Sequence, residues 1–320
     1  MDAMVPTTAK HVGAALVDAA RGYVDASLAP KTRKLYSTAW RQFTNWCAES
    51  GFCSMPADPR AVALYLSARA EAELAVSTIR IDVAAIGYAH EAADHASPTT
   101  HKIVRSVMAG ITRTTGTMPK RKKPVLTGDL RKMVNAVDAT TTRGLRDRAV
   151  LVVGFASALR RKELVAVQFE HIEFVEDGVK LLVPKSKTDQ ERHGRTIALP
   201  WGSRPSTCPV RALRTWLTQS GITSGPVFRS ISRSGKMASG AMSARGVARA
   251  VKRAGAAAGL DPGGLGGHSL RAGFATSAAR AGATERAIAK QTGHKNMAVL
   301  RTYIRDGRLF EDSAAGLLGL

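Results

Sequence analysis

The sequence predicts a mainly α-helical protein of two domains, with a small antiparallel β-sheet set into the second. Three observations carry that expectation. Apolar residues recur at helical spacing from Pro30 to Arg113, a cationic run bounded by Pro119 and Pro124 then interrupts the pattern, and three short extended runs divide an otherwise helical second half. At 320 residues the chain is long enough for two cores joined by a linker.

Residues 1–24 read as an N-terminal extension, and charges at Lys10, Asp18 and Arg21, with Asp25 just beyond, interrupt every apolar span there. Neither a membrane segment nor a signal peptide is expected. Within residues 25–113, Tyr36, Trp40, Phe43 and Cys47 fall at spacings of four, three and four before Gly51, which describes one amphipathic helix. Asp58 and Pro59 offer an N-cap and a first-turn residue for a second helix carrying Val62, Leu64, Tyr65 and Leu66. Ser77 is placed to cap a third through Ile79, Val83, Ile86 and Tyr88, and a fourth starts at Ser97-Pro98 and carries Ile103, Val107 and Ile111. His90 and His101 have no neighbours of catalytic type and read as structural or surface residues.

Residues 114–126 turn polar and basic and read as the interdomain linker, with Lys120, Arg121, Lys122 and Lys123 placed to follow a phosphate backbone. The second domain spans 127–320. Thr127 and Asp129 open a helix, and Leu145 to Leu159 is an apolar helical segment at its core. The extended runs are His171 to Val175, Val179 to Val183 and Thr196 to Leu199, the first two joined by the turn Glu176-Asp177-Gly178. Helix returns after Cys208-Pro209 with Val210, Leu213, Trp216 and Leu217, and again around Val247 to Ala258. At the end Leu309, Phe310, Ala314, Ala315, Leu317 and Leu318 form an apolar tail too short for its own core.

A composition of 44% hydrophobic and 22% charged residues is that of a folded globular protein and excludes a disordered chain. Its 47 Lys plus Arg against 25 Asp plus Glu leave a formal charge of +22, which calls for a polyanionic partner. Nucleic acid fits better than an anionic membrane, because the excess is spread along the chain and no basic amphipathic anchor stands out. Three cysteines, Cys47, Cys53 and Cys208, cannot all pair and show no CxxC spacing, so a reducing cytoplasm is expected. The chain holds no GxxxxGK[ST] phosphate loop and no carboxylate cluster placed for paired magnesium ions, so no cofactor is expected.

Each polar residue of the second half has an ordinary explanation when taken singly. Arg160 and Glu163 have the spacing of an i, i+3 helix pair, and Tyr303 beside Leu300 and Ile304 would suit a helix core. Their order is more informative. Arg160 stands in Ala158-Leu159-Arg160-Arg161-Lys162-Glu163-Leu164, Lys187 in Ser186-Lys187-Thr188 between the second and third strands, and His268 and Arg271 in His-Ser-Leu-Arg. Gly293-His294 then precedes Tyr303 by nine residues.

In these residues the chain resembles the tyrosine recombinase, or phage integrase, family, whose catalytic order is Arg, Lys, His-x-x-Arg, His or Trp, then Tyr. The resemblance covers essentially the whole second domain, while the first is similar to the family's helical core-binding, SAM-like domain by position and length. It implies a C-shaped clamp on double-stranded DNA and a site-specific recombinase acting through a 3′-phosphotyrosyl intermediate and a Holliday junction. Integration, excision or resolution of a mobile element would be its role. A type IB topoisomerase or telomere resolvase shares that chemistry, and an inactive DNA-binding accessory protein is the non-enzymatic alternative.

The residue types suit the reaction. A phosphodiester under attack gathers charge on its non-bridging oxygens, and the Arg160 and Arg271 guanidiniums could clamp it bidentately. A phenol ionises only near pH 10, so Tyr303 as nucleophile needs a base, for which His268 is the candidate. By the resemblance, Lys187 donates a proton to the departing 5′ oxygen and His294 hydrogen-bonds a phosphate oxygen. Lys185 lies two residues from Lys187 in the same basic turn, and the Ser-Lys-Thr context favours Lys187. The family also implies a homotetramer on two paired sites, joined by exchange of the C-terminal tail, with packing in cis as the alternative, and accessory DNA-bending or directionality proteins. Two positions depart from the pattern: Ala158, where glycine is common, and Ala272, where a second histidine is frequent.

Overall fold

A computed structural model of the chain describes residues 16, 18, 19, 22, 23, 27–116, 121–184, 194–294, 296–310 and 314–318. The chain divides into two compact units, Met1–Lys120 and Arg121–Leu320. Among the described residues no helix is long and apolar enough to cross a membrane.

The first unit is built on α1 (Pro30–Ser50), α2 (Pro59–Glu71), α3 (Val76–Ala92) and α4 (Lys102–Thr115). Their apolar stripes meet in a core where Phe43, Leu66, Ile79 and Ile86 are wholly buried, α1 lying on α3 and α2 on α4. Asp58 caps α2 by accepting from the Arg60 amide at 2.7 Å. The other two expected starts are shifted. Ser77 lies inside the first turn of α3, whose N-cap is Ala75, and Ser97-Pro98 leads into a single 3-10 turn, with α4 opening at Lys102. There the His101 Nδ1 accepts from the Ile103 amide at 3.3 Å, an imidazole in the role usually taken by a short oxygen side chain. His90 is buried, with its Nε2 accepting from the Ala57 amide at 2.9 Å. Its Nδ1 must then carry the proton and donate to the Ile86 carbonyl at 2.8 Å, so this histidine ties α3 to the loop between α1 and α2.

The second unit runs through α5 (Thr127–Ala136), α6 (Thr142–Ala156) and the short α7 (Arg161–Val165) to the strands β1 (Ile172–Val175), β2 (Gly178–Val183) and β3 (Arg195–Pro200). The sheet is antiparallel in the order β1-β2-β3, with Val175 facing Gly178 across the first turn and Val183 facing Arg195 at the open end of the second hairpin. Then follow α8 (Pro209–Ser220), β4 (Arg229–Ile231), β5 (Met237–Ala241), α9 (Ala244–Ala257), α10 (Ser269–Arg280), α11 (Glu285–Thr292) and α12 (Met297–Arg308). The β4–β5 hairpin forms a second small sheet where the sequence suggested one sheet only. Met-Ala-Ser-Gly-Ala in β5 is mostly exposed and has no apolar alternation to announce a strand.

Helix α6 is the centre of the unit. Ala149 to Val153 are buried on every side, between α8 with Trp216 and the first sheet on one flank and α9 and α10 on the other. Residues 121–126 lie along this unit in extended form. The Lys123 amide donates to the Gly264 carbonyl at 2.8 Å and the Val125 amide to Ser269 at 2.9 Å, and the Val125 side chain is buried with Leu130, Met133 and Leu270.

Candidate active site

Four peptide segments from separate parts of the second unit converge at one end of α6. The first is the turn that leaves α6. Ala158 sits there in the left-handed region at φ 51°, a conformation that strains any residue with a Cβ and accounts for a glycine preference at this place. The turn brings Arg160 to the N-cap of α7, where Glu163, itself buried, accepts from the Arg160 amide at 3.0 Å and from its Nη1 at 2.7 Å. The i, i+3 pair is real, and it holds the guanidinium in place.

The second segment is α10. Arg271 is 6% exposed; its Nη1 donates to the Ala158 carbonyl at 2.7 Å and to the Thr292 carbonyl, while its Nη2 is buried with no hydrogen-bond partner among the described residues. Burial first, and then the Arg160 charge, lower its pKa to about 10, so it remains a cation at neutral pH. His268 is the residue immediately before α10, one turn ahead of Arg271, and is exposed.

The third segment closes α11. Gly293 caps it at φ 64°, and His294 Nδ1 lies 2.8 Å from the Thr292 hydroxyl. That hydroxyl donates to the Ile288 carbonyl at 2.7 Å, so its proton is committed and the His294 Nδ1 is the donor to it. Burial, then the charges of Arg271, Arg160 and Arg195, push the imidazole down to about 4. His294 is therefore neutral at pH 7, with an unprotonated Nε2.

The fourth segment is α12. Tyr303 is half-buried against Leu300 and Ile304, in a small cluster with Ala275 and Ala279 of α10, and its ring lies 6.2 Å from that of His294 at a tilt of 37°. Gly307 lets α12 lie close on α10, since a Cβ there would stand 2.7 Å from the Thr276 carbonyl. Arg271 and Tyr303 are thus carried by two helices in direct contact.

The structure so brings Arg160, Arg271, His294 and Tyr303 together. Lys187 and Lys120 lie outside the described residues; in sequence Lys187 falls between Val183 and Arg195, the paired ends of β2 and β3. Arg121, Lys122 and Lys123 are exposed, and the Lys122 Nζ donates to the Gly263 carbonyl at 2.6 Å. Among the described residues no His, Cys, Asp and Glu side chains cluster in a way that could hold a metal ion.

One residue of this centre was not foreseen. Arg195, the first of β3, donates from Nη1 to the Gln291 and Lys290 carbonyls at 3.0 and 3.3 Å, and its Nη2 lies 3.9 Å from Glu163. A basic residue opening a strand in a chain with 47 lysines and arginines carries no signal of its own. Taken together, three guanidiniums with one buried carboxylate leave an excess of positive charge beside a phenol and a neutral imidazole. Such a centre suits an anion that approaches the Tyr303 hydroxyl.

The sequence profile of the phage integrase family matches residues 125–308. The chain belongs to that family. The chain is similar to an integrase/recombinase XerD homolog of Selenomonas ruminantium, 37% identical over 298 residues, which cover 92% of this chain and 87% of that one. Among solved structures, a XerH site-specific recombinase bound to a palindromic difH substrate superposes with a TM-score of 0.62 at 15% identity, over 82% of this chain and 73% of that one. A lambda integrase dimer bound to a core site gives 0.61 at 16% identity, over 91% and 77%. At such identities the superpositions speak for a shared fold, and the mainly helical fold with a small antiparallel sheet expected from the sequence is found. As a phage integrase family member the chain is a site-specific DNA recombinase of the tyrosine type.

Proposed function

We propose that Tyr303 of this recombinase attacks a phosphodiester of double-stranded DNA at a specific site, and that Arg160, Arg271 and His294 hold that phosphate. The observation that carries the reading is the convergence of two guanidiniums and a neutral imidazole on Tyr303, with a buried Arg271 Nη2 left without a protein partner. The Tyr303 oxygen forms a bond to phosphorus as the bond to the 5′ oxygen breaks. The phenolic proton passes to His268 and the departing oxygen takes a proton from Lys187. The product is a 3′-phosphotyrosyl bond and a free 5′ hydroxyl. A 5′ hydroxyl from a second duplex reverses the step without ATP, because the phosphodiester energy is kept in the covalent link. Two such exchanges through a Holliday junction recombine the sites, in the integration, excision or resolution of a mobile element.

His294 adds a condition to this scheme. With its Nδ1 proton given to Thr292, the imidazole can hydrogen-bond an aprotic phosphate oxygen only by taking up a second proton at Nε2. The bound phosphate supplies the negative charge that raises the imidazole pKa enough for this.

The protein assembles as a tetramer on two paired sites through its C-terminal tail. Leu309, Phe310 and Leu318 are 65, 84 and 69% exposed, apolar side chains left uncovered among the described residues. The same unit bears an apolar groove of about 460 Å³ lined by Phe155, Trp201, Phe274, Ala278 and Ile288, which suits the tail of a second copy. Head-to-tail docking of that kind closes a ring. Arg121 and Lys123 add phosphate contacts along the duplex.

The test is a pool of nicked duplexes with randomised arms, in which cleavage beside the nick releases a short strand and traps protein on DNA. Covalent product on denaturing gels from wild type, and none from Tyr303→Phe at equal DNA binding, is the expected outcome. No product from any sequence would overturn the reading.

A further inference from the structure

Helix α11 ends in three carbonyls that find no partner within the helix, those of Lys290, Gln291 and Thr292. Two arginines, the half-buried Arg195 and the buried Arg271, divide them. Arg195 takes Lys290 and Gln291, and Arg271 takes Thr292, whose side chain in turn receives the His294 Nδ1 proton. A cation at a helix C-terminus is favoured by the helix dipole as well, so this grip is electrostatic and geometric at once. Its other end is Glu163, which Arg195 shares with Arg160. A single guanidinium on β3 therefore joins the segment that carries Arg160 to the turn that carries His294.

Gly293 is fitted to this contact. A Cβ there would stand 2.7 Å from the Arg195 Nη1 and 2.8 Å from its Cζ, so the guanidinium lies against the bare backbone of the cap. The Gly293-His294 pair, its histidine nine residues before Tyr303 in the sequence, thus has a partner in Arg195. The Arg195 Nη1 is committed to the two helix-end carbonyls and its Nη2 faces the Glu163 carboxylate at 3.9 Å, so the contacts of this guanidinium are to the protein frame around the centre.

We infer that Arg195 is a positioning residue of the recombination centre, which sets His294 against the phosphate by clamping the C-terminal turn of α11 to Glu163. The inference rests on the proposed phosphate role of His294. Arg195 acts on the rate of the bond-making step and not on the capture of DNA, which depends on many exposed cations. Misplacing a group beside the reacting atoms by about 1 Å lowers a rate about 100-fold.

The experiment measures, on a sequence recovered from the nicked-duplex pool, both the DNA dissociation constant and the first-order rate of covalent adduct formation. Arg195→Ala is expected to slow the adduct about 100-fold, with affinity unchanged within about threefold, and Arg195→Lys, which keeps the charge and one donor, to recover part of the rate. A fall in thermal stability alone would not split rate from affinity in this way. Gly293→Ala, which displaces the guanidinium and also strains a cap at φ 64°, is expected to slow the wild-type protein by a larger factor than the Arg195→Ala protein, since contacting residues are not additive. Wild-type rates in Arg195→Ala, or fully multiplicative losses in the double variant, would overturn the inference. A readout independent of DNA separates this from failure of the recombinase reading itself. The His294 ring resonance in the unbound protein, assigned by its loss in His294→Gln, should shift in Arg195→Ala, and an unmoved resonance would equally refute the positioning role.

Discussion

The Arg271 guanidinium donates to the Ala158 carbonyl at 2.7 Å across a separation of 113 residues, and Ala158 offers that carbonyl from a left-handed turn. The substitution series at Ala158 follows from this. Ala158→Gly relieves the turn but gives up a buried methyl and adds chain entropy, so its unfolding free energy should stay within about 1 kcal/mol of wild type. Ala158→Val places a branched Cβ where even alanine is strained and should lose about 2 kcal/mol or more. Urea unfolding of both variants checks the pair, and equal stabilities would refute the role given to the turn.

Arg271→Lys is not a conservative change. A lysine ammonium cannot reach the Ala158 and Thr292 carbonyls and a phosphate together from one planar fork. Adduct formation should fall by about 10²- to 10³-fold in Arg271→Lys, close to the loss in Arg271→Ala. Single-turnover kinetics on a nicked duplex measure both, and a lysine variant at wild-type rate would count against bidentate holding.

The imidazole of His294 predicts an acid-side loss of stability. In the unfolded chain it takes its proton near pH 6.5, whereas burial and three arginines delay this to about 4 in the fold. Between these values the unfolded state binds more protons, so stability falls as pH drops from about 6.5 to about 4. His294→Gln should show a shallower decline across that window in denaturant midpoints taken at successive pH values. Parallel curves would mean that the imidazole is not held neutral.

The exposed tail gives a prediction about assembly. Phe310→Glu should leave binding to a single DNA site intact and abolish the slower complex of two duplexes in native gels and sedimentation. Ala287→Trp, which narrows the apolar groove from its wall, should produce the same defect without touching the tail. Normal pairing of sites in both variants would place the tail in cis.

The convergence of Arg160, Arg271, His294 and Tyr303 was legible because their order along the chain resembles that of the family, although none of them stands out alone. Helix α1 was legible from Tyr36, Trp40, Phe43 and Cys47, whose spacing sets them on one face, with Phe43 and Cys47 buried in the core. Helix starts were less so. His101 takes the capping place that Ser97 appeared suited for, because the turn at Pro98 delays the helix by one short element. Strand β5 and Arg195 were invisible for different reasons. The strand is exposed and lacks alternation, and the arginine acquires its meaning from Glu163 and Gly293, 32 residues before it and 98 after it in the chain.

The most direct test of the central claim is the identity of the residue joined to DNA. Trapped adduct digested with nuclease and trypsin should yield the peptide Thr302-Tyr303-Ile304-Arg305 carrying a nucleotide on the Tyr303 oxygen, as read by tandem mass spectrometry. A nucleotide on any other side chain, or an adduct that persists in Tyr303→Phe, would contradict the account.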